Sequence, residues 1–471
     1  MIKIHTLSTL ILLIISLPVF SQNSEAEGKQ EVVLDINNAD PQDSAAVARA
    51  AYEKRLKQVE AFRKGMEKDP KRFMDSLNTI RNEKLRVEAL QRIEAYKSNP
   101  DLATLKEIDL SNAQLTDFPR FVFEARNAEV LILDGNSFSE LPKELSQLAI
   151  LNRIYWRNNN LDSKARIPRL EGIEKLDLSN NSLKRLPKVH RLEGLKELVL
   201  EDNHFTKIPV WRGRRLRNLE ELDLSKNPLI LGRRWYWLLN DIQILKLNKC
   251  EISEVHPSLY KMKGLEELQL QVNKLNTIPE GISRLEHLAK LSLYKNSIDS
   301  LPSDFFKLKR LEVIDLYYNK LNIIPSEISG LEGLKILYLS FNEIYDLPAE
   351  VGDLEQLREL YIHHNRISEL PKNLANLGRL KVLHFQNNYI PYFPTQILDM
   401  ESLVDLDISD TDITHIPNEI ANMNLETFFW RHLEIDLNDE DQAETKEALI
   451  KLQQNGANVV PSLNLATTSF D

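Results

Sequence analysis

The stretch Leu311-Glu312-Val313-Ile314-Asp315-Leu316-Tyr317-Tyr318-Asn319-Lys320-Leu321-Asn322-Ile323-Ile324-Pro325 decides how the chain folds. Ile314 and Leu316 alternate with Asp315, the period of a strand buried on one face. Asn319 follows, where an amide with donors and an acceptor can bond the backbone of the turn and of a neighbouring coil. Leu321 and Ile324 point back inside. Pro325 fixes φ and lacks an N–H, so it cannot extend a strand. The chain then returns through Ile328 and Leu331, which line the far wall.

The same pattern recurs on both sides of this stretch. Asn273, Asn296, Asn319, Asn342, Asn365, Asn388 and Thr411 stand 23 residues apart. Each closes a copy of LxxLxLxxN that usually continues xLxxLP. Upstream, Ala113, Asn136, Asn159, Asn181, Asn203, Asn227 and Cys250 hold the same position at steps of 23, 23, 22, 22, 24 and 23, which makes fourteen copies in all. A fifteenth begins with Leu425, Phe428 and Trp430 and dissolves from Arg431 to Leu433. A fixed period of this length means a stack of similar units. With strands about 4.8 Å apart, fifteen of them predict a curved sheet with an arc of roughly 70 Å.

Departures from the pattern carry their own expectations. Cys250 replaces Asn inside the core and reads as a buried structural thiol. Extra residues within 162–166 predict a small surface bulge. After Asn227 the LP is lost, and the register puts Tyr236 and Leu239 inward. Trp235 and Trp237 then flank the core beside Trp211, Arg212, Arg214, Arg215 and Arg217. That patch suits a polyanion or a sugar, although aromatic filling of a distorted return explains it as well.

The chain has 471 residues and a net charge of −10, with both signs mixed along the repeats. This argues against nucleic acid as a partner. No GxGxxG, P-loop, HExxH or GxSxG arrangement occurs, so neither an enzyme nor a cofactor is expected. Residues 1–21 read as a secretory signal, with Lys3 and His5 before an apolar run from Leu7 to Leu17 that is too short to span a bilayer. No stable membrane insertion is expected after its cleavage, and the protein is expected in a bacterial periplasm or exterior. The single Cys allows no internal disulfide.

Residues 22–42 read as a flexible linker and 43–99 as a helical cap. In that cap, Tyr52, Leu56, Val59 and Phe62 share one helix face. Asp69-Pro70 starts a second helix carrying Phe73, Leu77, Ile80, Val87 and Leu90. A two-helix cap over the first repeat is the structural reading, and a dimerising or partner-binding helical hairpin is the rival. The repeat domain covers 100–433. In the C-terminal region, 434–471, Asn438 caps a helix that Gly456 stops, and the tail from Ala457 is loose.

Positions three, five, seven and eight of each unit leave the strand on its exposed side. Early units present small and charged groups such as Asp177, Ser179, Glu197, Glu201, Asp223 and Ser225. Later ones turn aromatic: position seven gives Tyr294, Tyr317, Ser340, His363 and Gln386; position five gives Ser292, Asp315, Tyr338, Tyr361 and His384; position eight gives Lys295, Tyr318, Phe341, His364 and Asn387. The candidate binding cluster is Tyr294, Tyr317, Tyr318, Tyr338, Phe341, Tyr361, His363 and His384, the composition of an interaction hot spot. High strand propensity of aromatics is the competing explanation. No metal is expected, since adjacent His363 and His364 should diverge on a strand. A smaller patch comprises Arg153, Tyr155 and Arg157.

With Ile324-Pro325-Ser326-Glu327-Ile328 and Leu347-Pro348-Ala349-Glu350-Val351, the chain resembles leucine-rich repeat proteins of the 23-residue kind, similar to Ras-scaffold and plant Ras-group repeats and to exported bacterial arrays. The resemblance implies an α/β right-handed solenoid, a horseshoe with short parallel strands on its concave face. It implies non-enzymatic binding, with a protein as partner and a glycan as the alternative. A surface adhesin or a host-interacting effector without a catalytic domain is the second reading.

Overall fold

The computed structural model describes residues 69–189, 192–209, 216, 218–232 and 236–463. The expected signal, linker and first cap helix lie outside the described residues. So do Trp211, Arg212, Arg214, Arg215, Arg217, Trp235 and the side chain of Trp237. Met1–Ile80 and Arg81–Asp471 are two compact units. Of the first, residues 69–80 open the helix Pro70–Lys97. Asp69 caps it as its sequence predicts, Oδ1 accepting the Arg72 N–H at 3.1 Å.

The second unit is a solenoid. Sixteen short parallel strands form one open sheet, and each residue pairs with its equivalent one repeat away, as in Val313 with Ile336, Ile314 with Leu337 and Asp315 with Tyr338. Ile314, Leu316, Leu321 and Ile324 are buried, as are Ile328 and Leu331 on the return. That return is a 3₁₀ turn, Ser326–Gly330, entered through extended Pro325. A Pro there ends one element and starts the next.

Asparagine stitches the coils together. Asn319 Nδ2 donates to Leu316 O at 3.1 Å in its own coil and to Leu293 O at 3.0 Å in the coil before. Its Oδ1 accepts the Ile298 N–H at 3.0 Å. Asn342 and Asn365 repeat the set one and two coils on. The amide thus satisfies buried backbone groups that the turn leaves unpaired. At Cys250 only part of this survives: Sγ reaches Leu224 O at 3.2 Å, but no oxygen is offered to the preceding coil. There the Leu229 N–H turns to Asn227 O at 2.8 Å, which accounts for the distorted return after Asn227. Tyr236 and Leu239 do face inward, and the Tyr236 hydroxyl donates to Gly232 O at 3.1 Å.

Several expectations need correction. The helix Pro70–Lys97 does not bury Ile80, Val87 and Leu90, which are exposed; Ala89 and Ile93 are buried instead. Arg92 and Tyr96 fall beside that buried face, so they reach the outer edge of the first strand, Glu107–Asp109. Arg92 Nε donates to Asp109 O at 2.8 Å and the Tyr96 hydroxyl accepts the Asp109 N–H at 3.2 Å. Pairing these groups caps an edge otherwise open to another chain.

The extra residues at 162–166 make a surface turn closed by the Ala165 N–H on Asp162 O at 3.1 Å, and Arg166–Ile167 after it pairs with Lys188–Val189 as a separate two-stranded sheet. At the other end Asp439, not Asn438, caps the turn before the helix Ala443–Gln454. After Gly456, with φ of +103°, Asn458–Val460 is not loose. It adds a sixteenth strand alongside Thr427–Phe429.

Candidate functional site

Position eight of each unit is not strand backbone. Lys295, Tyr318, Phe341, His364 and Asn387 have φ of 54°, 57°, 54°, 54° and 56°, in the left-handed region. The conformation swings the chain from the strand into the Asn turn. Asn and Asp adopt it readily, whereas a bulky ring there is strained by on the order of 1 kcal/mol. Three consecutive units nevertheless hold rings at this position. Strand propensity therefore does not account for them.

The rings form ladders across the coils. At position eight Tyr318 stacks on Phe341 with centroids 4.2 Å apart, and Phe341 on His364 at 3.9 Å. At position five Tyr338 stacks on Tyr361 at 4.8 Å, and the edge of His384 meets Tyr361 at 5.2 Å. At position seven Tyr294 stacks on Tyr317 at 5.7 Å, and Tyr317 reaches His363, two strands away, at 5.7 Å. They close over Ser340, which has no exposed surface although it belongs to an outward row. A serine between them leaves the space that lets rings from alternate coils meet.

All eight expected residues are thus on one face, in two adjoining runs. Tyr318 remains 40 % exposed and the others are half-buried. His364 belongs with them through its stack on Phe341, and position eight of the repeat was the signal for it. His363 and His364 do not diverge: their Nδ1 atoms lie 3.0 Å apart, because the left-handed turn between them breaks strand geometry. Burial, with His364 and His384 nearby, pushes the His363 imidazole down to about 4. Burial also lowers His364 and raises the hydroxyls of Tyr338 and Tyr361; it lifts Tyr317 to about 12, helped by Tyr318 and Tyr294. These hydroxyls are neutral donors at physiological pH.

The Arg153, Tyr155 and Arg157 patch is largely satisfied from within. The Arg157 guanidinium pairs with Asp134 and lies 5.5 Å from the Tyr155 ring centroid. Among the described residues no group of His, Cys, Asp and Glu is arranged to hold a metal ion, and no helix is long and apolar enough to cross a membrane.

Comparison with known proteins agrees with this architecture. Residues 326–459 match the model of a leucine-rich repeat region and residues 286–344 that of a leucine-rich repeat. No curated protein matches the chain. Among solved structures, a leucine-rich repeat protein of Leptospira interrogans is 27 % identical, with 78 % of this chain and 97 % of that one covered and a TM-score of 0.62. The functional domain of InlJ from Listeria monocytogenes is 21 % identical, covering 70 % of this chain and 69 % of that one, with a TM-score of 0.52. The plant peptide hormone receptor RGFR1, solved in complex with RGF2, is 24 % identical, with 70 % and 58 % covered and a TM-score of 0.51. The 23-residue unit, the asparagine bonds that lock its coils and the two matching repeat models converge on one assignment: the chain is a leucine-rich repeat protein.

Proposed function

We propose that the protein is an exported, non-enzymatic binding protein whose sheet face between Tyr294 and His384 docks a protein partner. The observation that carries this reading is the run Tyr318, Phe341 and His364 at left-handed positions. Lys226, Lys249, Val272 and Lys295 hold this conformation in other coils, so it is the succession of three rings there, stacked on one another, that we read as selected for contact. Around them, rigid, half-buried rings supply contact area at low entropic cost, as in interface hot spots. A glycan is the alternative occupant, since stacked tyrosines also suit sugar rings.

The test is capture by the immobilised protein from cell-envelope and culture fractions, compared with a variant carrying Tyr317→Ala, Tyr338→Ala and Tyr361→Ala. A partner recovered by the natural chain and lost by the variant, with the far-ultraviolet circular dichroism preserved, supports the site. Equal recovery by both would place binding elsewhere.

A further inference from the structure

We propose that the partner presents a basic polypeptide segment, rich in Arg or Lys, to this face; the inference rests on the binding reading above and gives its chemistry. Its ground is a change in how the sheet handles charge. In the units before the aromatic run, four outward glutamates are neutralised by lysines of neighbouring coils, while Asp223 is held by the Ser225 N–H at 2.8 Å. Glu197 meets Lys175 at 2.6 Å, Glu201 meets Lys226 at 2.9 Å, Glu221 meets Lys246 at 2.5 Å and Glu267 meets Lys290 at 3.7 Å.

From Val313 to Asp410 the same four rows hold Asp315, Glu359, Asp405, Asp407 and Asp410 and no Lys or Arg. Lys335, Arg358 and Lys381 stand just before their strands, off these rows. None of the five carboxylates has a Lys or Arg within ion-pair distance among the described residues. Asp315 accepts from the Ser292 hydroxyl at 2.8 Å, Glu359 from the Tyr361 hydroxyl at 3.0 Å and Asp407 from the Ser409 N–H at 2.9 Å. Asp410 has His432 at 2.8 Å. Asp405 has His384 at 3.2 Å.

The polar atoms beneath the rings are enclosed by them. Ser340 Oγ, Gln386 Oε1 and Asp405 Oδ1, all on this face, form no hydrogen bond among the described residues, and neither does His384 Nε2, which lies 3.2 Å from Asp405 Oδ1. Ser340 is wholly buried beneath the rings. The face therefore carries carboxylates with no Lys or Arg partner beside stacked rings. A guanidinium or ammonium group suits both: it pairs with carboxylates and lies favourably over a Tyr or Phe face. A neutral sugar would use the rings and leave the charge uncompensated. The five strands from Val313–Asp315 to Asp405–Asp407 span about 20 Å at ~4.8 Å each. An extended segment of roughly six residues or more crosses that distance.

The experiment titrates the full chain with a peptide of alternating Arg and Ser, about ten residues long to cover that span. A matched Glu-Ser peptide and cellohexaose serve as the other probes. The second protein carries Glu359→Gln, Asp405→Asn and Asp407→Asn, near-isosteric changes whose folding is checked by circular dichroism. The proposal expects the arginine peptide to bind the natural chain, to weaken about tenfold or more in the neutralised variant and to weaken further in about 0.5 M NaCl. It expects neither other probe to compete. Failure of the arginine peptide to bind, unchanged binding to the neutralised variant, or preference for the acidic peptide or the sugar overturns it. If the neutralised variant still captures the cellular partner while the triple Tyr variant does not, the basic-segment inference falls and the aromatic site stands.

Discussion

His363 shows what the cluster does to a single side chain. Its ring is packed between Tyr317, Phe341 and His364, so its imidazole is neutral down to about pH 4. The unfolded chain takes up that proton near 6.5, so the unfolded state binds more protons between these values. The stability this packing contributes is therefore complete above about 6.5 and is lost as the pH falls toward 4. Proton NMR of the imidazole should show it titrating near 4. In His363→Gln the melting temperature should fall less steeply over the same pH window. An imidazole titrating near 6.5 would show that the ring is not packed as described. Cys250 offers a parallel check: burial lifts its thiol to about 12. It should resist thiol reagents in the native protein and react once the chain is unfolded. Fast native labelling would contradict its place in the asparagine row.

Among the repeating elements, the Asn turn is where one residue decides most. Asn319→Ala removes the acceptor for the Ile298 N–H and the donor to two buried carbonyls. Unpaired buried groups make a loss on the order of 3 kcal/mol the expected result in denaturant unfolding. A change below about 0.5 kcal/mol, the level of an ordinary surface substitution, would show that these bonds contribute little.

This turn was legible in the sequence because its Asn, Leu and Pro positions repeat. The side on which each unit exposes its residues was legible for the same reason. The helix face was not, since the apolar spacing of Ile80, Val87 and Leu90 matched a stripe that the structure leaves exposed, while Arg92 and Tyr96 do the capping. The last strand, Asn458–Val460, keeps none of the repeat's spacing and is placed by the helix before it. The conformation of position eight was hidden as well. Tyr318 and Phe341 hold a φ that favours Asn or Gly, so residue preference at that position gives no hint of the backbone.

Across the whole repeat unit, stability is built from neighbours, each coil bonded to the one before and the one after. A face that spans five coils can therefore bear local strain, with the surrounding ladder holding it in place. Each ring at position eight sits where Asn158, Asn180 and Asn387 sit in other coils, with φ of 51°, 53° and 56°. Replacing Tyr318, Phe341 and His364 together by Asn relieves about 1 kcal/mol at each residue. It forfeits about 0.5–1.5 kcal/mol for each stacked pair. The paired measurement of melting temperature and partner capture on this variant separates packing from binding. The account predicts melting within roughly 5 °C of the natural chain, with capture lost. Capture that persists on an equally stable fold would contradict it, and so would a melting temperature lowered by more than about 10 °C, which would make the rings a structural requirement.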